Sequence, residues 1–430
     1  MIKVLIVTYY WPPAGGPGVQ RWLKFVKYLR DFGIEPVIYI PENAHYPLKD
    51  PSLNSEVPDD VKALKKPIFE PYAAANFLSQ KNTEKISAGI IPEEEKQGLI
   101  QKIMLFVRGN FFIPDARKFW VKPSIKFLSQ YLEESGIKTV ITTGPPHSLH
   151  LIGLGLKQNR NINWIADFRD PWTEIGYHNK LKLLGFAQRK HEKLERDVLQ
   201  NADQIITTSF TTRKEFRRNT EKPIEVITNG YDIEKVERKP LDEKFTLAHI
   251  GSLLSERNPQ NLWLAIKELL SENEDFAQNF ELKLIGAVGE PVLSSIEKYG
   301  LKDHLHQKGY VSHPEALQLQ KSAQVLLLIE IDRKETRGII PGKLFEYMVS
   351  ERPILAVGPA GSDIELLMKK TNTGSFFLYP QKGEIKAFLL KSFQEYKQGK
   401  LRSQAIGLQD FSRRSLTGRL AELIRKIEGQ

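Results

Sequence analysis

Residues 335–365 read ETRGIIPGKLFEYMVSERPILAVGPAGSDIE, and this succession of residue types decides the fold. Glycine and proline open a loop from Arg337 to Gly342. Leu344, Phe345 and Met348 then follow at helical spacing, Pro353 begins the buried-strand run PILAVG, and Gly358 and Gly361 make a second turn. Loop, helix and strand therefore follow in order. A helix that starts beside a glycine points free amides at an anion. Lys343 stands where a point cation can neutralise phosphate, and one turn on, Glu346 is an acceptor-only group suited to a pair of sugar hydroxyls. The pattern fits half of a nucleotide-sugar site. It also fits an ordinary loop and helix with a solvated Lys and Glu.

Upstream, the same rhythm recurs. FTLAHIG leads into the loop SLLSERNP and the helix NLWLAIKELL, then LKLIG, KGYV and VLLLIE read as strands with the helix HPEALQLQKS between the last two. The polar run 231–244, YDIEKVERKPLDEK, reads as a linker. Before it lies another βα series. IKVLIV is a buried-strand pattern, and in VQRWLKFVKYLRDFG the residues Val19, Trp22, Leu23, Val26 and Leu29 fall at helical spacing with Gly33 as a stop. The turn between them carries Gly15, Gly16 and Gly18 but no GxGxxG, so a dinucleotide is not indicated. From about 46 to 118 the rhythm is lost. There IQKIMLFVRGNFFIPDARKFWVKP interleaves basic and large apolar residues, as either a helix hairpin packed on the domain or an interfacial surface. It returns with IKTVITT and INWIADF, which place His147 and the group Asp167, Arg169, Asp170 just past strand ends, where ligands of such sheets sit. The alternatives are a helix-start residue for His147 and a turn with an ion pair for Asp170 and Arg169. The tail FSRRSLTGRLAELIRKIEG is amphipathic, with Leu416, Leu420, Leu423 and Ile424 on one stripe.

Composition sets the bounds. At 430 residues the chain exceeds one ordinary domain, and 41% hydrophobic with 27% charged residues is a globular balance. The absence of cysteine removes disulfides, thiolate catalysis and Cys-based zinc sites, and suits a reducing cytoplasm. No metal-ligand spacing appears among the nine His, and no apolar run approaches the ~20 residues of a membrane span. The N-terminus reads as a strand rather than a signal peptide. A formal charge of +10 favours anionic partners, but the Lys and Arg are dispersed and no nucleic-acid-binding signature is present.

YYWPPAGGPGVQRWLKFVKYL, VITNGYD, HIGSLLSERNPQNL and PGKLFEYMVSERPILAVG occur in the order seen in GT-B glycosyltransferases, and the chain resembles their family-four group of retaining, nucleotide-sugar-dependent enzymes. GPPHSLH and WIADFRDPW resemble a bacterial subgroup that builds surface polysaccharides. The resemblance implies an α/β GT-B fold, with two Rossmann-like βαβ domains facing across a cleft. It implies an acceptor-side domain over 1–235 carrying the insertion at about 46–118, a nucleotide-sugar domain over 241–405, and a C-terminal helix within 406–430 that returns to the first domain. The implied donor-binding residues are Gly15, Gly16, Gly251, Arg257, Gly342, Lys343 and Glu346; Asp170 and His147 are the candidates for positioning sugar or acceptor. Two family positions differ, with Gly338 where the first glutamate of the paired motif is expected and Ser252 where an arginine is expected. The implied partners are a nucleotide-diphosphate sugar as co-substrate and a glycan or lipid-linked acceptor. No metal or other cofactor and no nucleic acid are expected. The implied location is cytoplasmic, with peripheral contact at the inner face of the cell membrane.

Overall fold

The computed structural model describes residues 1–70, 99–174, 181–232 and 239–429. The chain forms two compact units, Met1–Thr228 with Arg413–Gln430, and Asn229–Ser412. Sequence reading places the divisions at 235/241 and 405/406. The chain instead passes from one unit to the other next to a short pairing within the second unit, where Tyr231 bridges Ser412 and donates its N–H to Phe411 O at 3.1 Å.

The first unit is built on a parallel sheet of seven strands in the order β3-β2-β1-β4-β5-β6-β7. Its strands are β1 (Ile2–Val7), β2 (Ile34–Pro41), β3 (Lys62–Lys66), β4 (Thr139–Gly144), β5 (Asn163–Phe168), β6 (Gln204–Thr207) and β7 (Ile224–Val226). The apolar runs have helices to meet on both faces, and successive residues divide between two cores. Leu5, Val7, Val140, Trp164 and Ala166 join one. Val4, Ile6, Ile141 and Ile165 join the other. The second core also takes Trp22, Leu23 and Val26 from the helix Pro17–Leu29, and Leu416, Leu420 and Ile424 from the helix Arg413–Glu428. The tail stripe thus lies on the first sheet, where Arg414 pairs with Asp31 at 3.0 Å.

Within the insertion, β3 is a strand that apolar patterning does not reveal, because its sequence is KALKK. It is an edge strand paired to β2, and lysines there discourage pairing with another chain. Lys62 and Lys66 lie over the rings of Tyr131 and Phe127. The helix Leu99–Phe111 packs one face by Leu105 on Leu181, while Asn110 Oδ1 accepts from Leu184 N at 2.7 Å. Ile103, Phe106, Val107 and Phe111 on this helix are exposed. The helix therefore has a packed face, as the hairpin reading expects, and an exposed apolar one.

The second unit is a parallel sheet of six strands in the order β10-β9-β8-β11-β12-β13. They are β8 (Phe245–Ile250), β9 (Phe280–Ile285), β10 (Leu305–Lys308), β11 (Val325–Ile329), β12 (Ile354–Gly358) and β13 (Gly374–Leu378). The strand expected at KGYV ends at Lys308, before Gly309. In each unit the chain builds outward from its first strand and then crosses to the other side of it. β1 lies between β2 and β4, and β8 between β9 and β11. The carboxyl ends of β1 and β4, and of β8 and β11, are thus topological switch points, the places where such sheets bind ligands.

Leu420 is fully buried in the core of the first unit. Leu420→Ala is expected to destabilise that unit by about 2–5 kcal/mol, the range for a buried leucine truncated to alanine, read by chemical denaturation.

Candidate active site

At the β8/β11 switch point the second unit gathers Lys343, Arg257, His249 and Glu330. Lys343 is held from the helix Gly342–Met348, with Nζ 3.2 Å from His249 Nε2 and 3.4 Å from Ile250 O. His249 is fully buried, and its Nδ1 lies 3.0 Å from Leu327 O. A carbonyl only accepts, so Nδ1 carries the proton and Nε2 presents a lone pair to the ammonium. Burial, and then the Lys343 charge, hold the His249 pKa well below its ordinary value, in agreement with that tautomer. Gly251 takes a left-handed φ of 118°, and a Cβ there would stand 3.2 Å from Lys343 Nζ. Glycine is thus favoured by its left-handed backbone, and a side chain there would also crowd the ammonium. Tyr347, one turn along the same helix, fixes the end of β8 by accepting from Ile250 N at 2.9 Å and donating to Ile250 O at 3.2 Å.

Burial pushes Lys343 down to about 8, with Glu330 opposing and Arg257 assisting the shift. It pushes Glu330, only 3% exposed, up to about 7 against the pull of Arg257 and Lys343. Nε of Arg257 is buried without a hydrogen-bond partner among the described residues. Two cations thus face one carboxylate in a low-dielectric pocket, leaving a positive excess suited to an anion. Gly342, at the start of the helix, has open space where a side chain would project.

Glu346 is half-buried and has protein partners. His313 Nε2 donates to Oε1 at 3.0 Å and Gln320 Nε2 to Oε2 at 2.9 Å. With these two donors its orientation is set, and a carboxylate retains lone pairs for further donors. It lines a cavity of about 270 Å³ together with Tyr231, Asp232 and Gln320.

Gly15, Gly16, His147 and Asp170 belong to the first unit. Gly15 packs on the 48–50 loop, where its Cβ would meet Leu48 at 3.1 Å, and Gly16, φ 99°, precedes the first helix. Gly18 makes the closest approach of the three. A Cβ there would stand 1.7 Å from Arg169 Nη1, so Arg169 lies directly over the glycine turn. Arg169 Nε donates to Gly144 O at 3.3 Å and its Nη2 to Pro145 O, which ties the β1, β4 and β5 ends together. Asp170 beside it has its pKa raised by burial, lowered in part by Arg169 and raised again by Asp167. Asp167 is fully buried and saturated. Arg21 Nη2 donates to it at 2.8 Å, Trp22 Nε1 at 2.9 Å and Thr143 Oγ1 at 2.8 Å. His147 starts the helix Ser148–Asn159, is 4% exposed and stacks on Trp172 with centroids 4.9 Å apart, so its ring is part of the packed interior. Its neighbour His150, held by Thr142 Oγ1 at 2.9 Å, is pushed down to about 3 by burial.

His249, Glu330, His313, Gln320 and Arg21 were not singled out in the sequence. For two of them a signal exists: FTLAHIG and VLLLIE are apolar strands broken at the carboxyl end by one ionisable residue.

The paired parallel sheets are those of the GT-B class of α/β proteins, and solved structures across the whole chain agree. A sucrose-phosphate synthase from Thermosynechococcus elongatus superposes with TM-score 0.63 at 13% identity, covering 100% of both chains. The lipopolysaccharide outer core galactosyltransferase WaaB does so with TM-score 0.59 at 12% identity, covering 99% of each. A putative UDP-N-acetylglucosamine 2-epimerase from Listeria monocytogenes gives TM-score 0.55 at 11% identity, covering 100% of this chain and 97% of its own. Residues 91–235 match the family model Glycosyltransferase Family 4. No curated protein matches the sequence. The family match and the fold together support a glycosyltransferase.

The Lys343 ammonium is charged below its pKa of about 8 and neutral above it. Affinity for a nucleoside diphosphate is therefore expected to fall as pH rises through about 8, and Lys343→Met to weaken binding and erase that inflection. Calorimetric titrations between pH 6.5 and 9.5 read both, and an inflection retained in the variant would remove Lys343 from the phosphate site.

Proposed function

We propose that the chain transfers a sugar from a nucleotide-diphosphate donor to a glycan or lipid-linked acceptor, with retention at the anomeric carbon, in the building of cell-surface polysaccharide. The observation that carries this reading is the Lys343 ammonium, buried and aimed by His249 beside Arg257 at the switch point of the second unit. Departure of a nucleoside diphosphate develops negative charge on its β-phosphate. Cations fixed beforehand where that charge appears lower the barrier without reorganising during reaction. Glu346, oriented by His313 and Gln320, serves the ribose hydroxyls. In a retaining reaction the acceptor hydroxyl attacks the face the diphosphate leaves and passes its proton to the departing phosphate oxygen, so no protein nucleophile is needed. Asp170, with its raised pKa, then positions the acceptor or sugar, and Gly338 withholds the carboxylate usual near the transferred sugar. Lys343 and Arg257 take the part of a divalent ion, since Mg²⁺ on a diphosphate is normally held by carboxylates.

The exposed Ile103, Phe106, Val107 and Phe111 are the apolar half of a peripheral membrane contact, and Lys102, Arg108 and Lys118 the basic half. Such a contact would support a location at the cytoplasmic face of a membrane that carries the acceptor.

Nucleotide sugars incubated with a membrane extract and EDTA are expected to yield glycosylated acceptor and free nucleoside diphosphate. In the same assay Glu346→Ala should weaken donor binding by about 1.5–3 kcal/mol, the range for charged hydrogen bonds. Interconversion of the donor sugar without acceptor would establish an epimerase instead. Loss of turnover in EDTA, with rescue by Mg²⁺, would overturn the metal-free reading. Phe106→Glu with Phe111→Glu is expected to abolish co-sedimentation with vesicles containing phosphatidylglycerol while leaving donor affinity unchanged, and unaltered sedimentation would dismiss the membrane face.

A further inference from the structure

A cavity of about 850 Å³ in the second unit is separate from Lys343 and is lined by Lys239, Lys321, Arg352, Lys400 and Arg402, with Glu351 the one acidic residue at its wall among the described residues. Arg352 is its fixed point. The side chain is 5% exposed, and its Nε and Nη2 are committed to Gln324, at 3.3 and 3.0 Å to O and 2.9 Å to Oε1. These bonds lock the guanidinium plane. Nη1 has no acceptor among the described residues, so one edge of a locked fork remains for a ligand. The partners of Arg352 are neutral amide oxygens, and no carboxylate is paired with it in an ion bridge among the described residues. Burial pulls its pKa down to about 10, with Glu351 and Asp242 opposing, which marks a cation whose desolvation is incompletely compensated. Of the acidic groups, Asp242 is engaged by Lys283 at 2.8 Å. The wall is shaped by backbone as well. Glu351 adopts a left-handed φ of 66°, uncommon for a residue with a side chain, and its carbonyl receives Ser403 N at 3.0 Å, which sets the 399–404 segment against the Arg352 turn.

From this arrangement we infer a second anion site, for a ligand bearing phosphate groups, in which the free edge of Arg352 forks onto one phosphate and Lys239, Lys321, Lys400 and Arg402 neutralise the remainder. Planar guanidinium recognition favours phosphate oxygens over a spherical anion, and a cavity of this size admits a di- or triphosphate rather than a single ion. Lys321 and Val349 also line the cavity beside Glu346. A ligand here therefore touches the turn that ends the Glu346 helix, so occupancy can bias the donor site. The site is independent of the proposed transfer reaction and stands or falls separately.

Inorganic tripolyphosphate titrated calorimetrically into the Lys343→Met full chain is the test, since that background weakens the donor-phosphate site. One saturable site is expected. Adding Lys400→Glu and Arg402→Glu, both at exposed positions, should weaken it roughly tenfold or more, with the thermal midpoint without ligand unchanged. The same charge reversals in the otherwise native chain should leave the affinity of the Lys343 site for nucleoside diphosphates unaltered. Vesicles of phosphatidylglycerol against phosphatidylcholine identify the source of the phosphate. Reduced sedimentation of the charge-reversed chain assigns a lipid headgroup, and unchanged sedimentation with lost tripolyphosphate binding assigns a soluble ligand. Tripolyphosphate affinity that does not respond to the two reversals overturns the site.

Discussion

The contact of the Lys343 ammonium with the lone pair of His249 Nε2, 3.2 Å away, is the constraint on which the arrangement of the second unit depends. Burying an ammonium is costly unless something directs it, and here His249 does so without neutralising it. The direction holds because Leu327 O takes the Nδ1 proton, so the register of β8 against β11 sets the tautomer and the tautomer sets the lysine. Gly251 follows from the same contact, since its α-carbon is where the ammonium would otherwise meet a side chain. Strand order, glycine and cation are thus one device.

The first unit is built around a different kind of charge. Asp167 is as deeply buried as His249, but Arg21, Trp22 and Thr143 saturate its oxygens. Burial alone would raise its pKa, yet Arg21 and these hydrogen bonds hold it below the usual carboxylate range. Such a group is spent on structure. It fastens the first helix to the ends of β4 and β5, and that fixes Gly18 beneath Arg169. Asp170 differs, because burial moves its pKa upward, with Arg169 opposing and Asp167 assisting the shift. The two shifts run in opposite directions because Asp167 has hydrogen-bond donors from three side chains and Asp170 is dominated by burial.

Much of the fold was legible because buried parallel strands flanked by helices leave runs such as IKVLIV and VLLLI that few other structures explain. β3 was not, because an edge strand needs neither continuous apolar residues nor alternation, and KALKK has the residues that protect an edge. The helix Lys382–Lys397 also escaped, since polar residues are spread around much of its circumference and its buried apolar positions, Ile385, Leu389 and Phe393, are few. At the site, Lys343, Arg257 and Gly251 could be chosen by spacing and resemblance, whereas His249 and Glu330 each mark a strand end in the sequence but come together only when two strands distant in sequence are set side by side. His147 shows the converse. Its place after β4 suggested chemistry, but a ring in that position can equally complete a stack on Trp172.

Charge also explains why one net figure for the chain says little about its ligands. Most of the excess positive residues are dispersed on the surface, where solvent and salt screen them. The few that are buried act differently, because a desolvated cation lacking a full counter-charge is stabilised by any anion that reaches it. Lys343 with Arg257 forms one such place and Arg352 another, and in both the cation is held by neutral hydrogen-bond acceptors. A neutral acceptor orients without cancelling the field, whereas a carboxylate would do both. A phosphate brought against Lys343 would stabilise its protonated form and raise its pKa from about 8, so binding and proton uptake are linked at slightly alkaline pH. Cations buried in this way would favour phosphate, a preference that composition does not express.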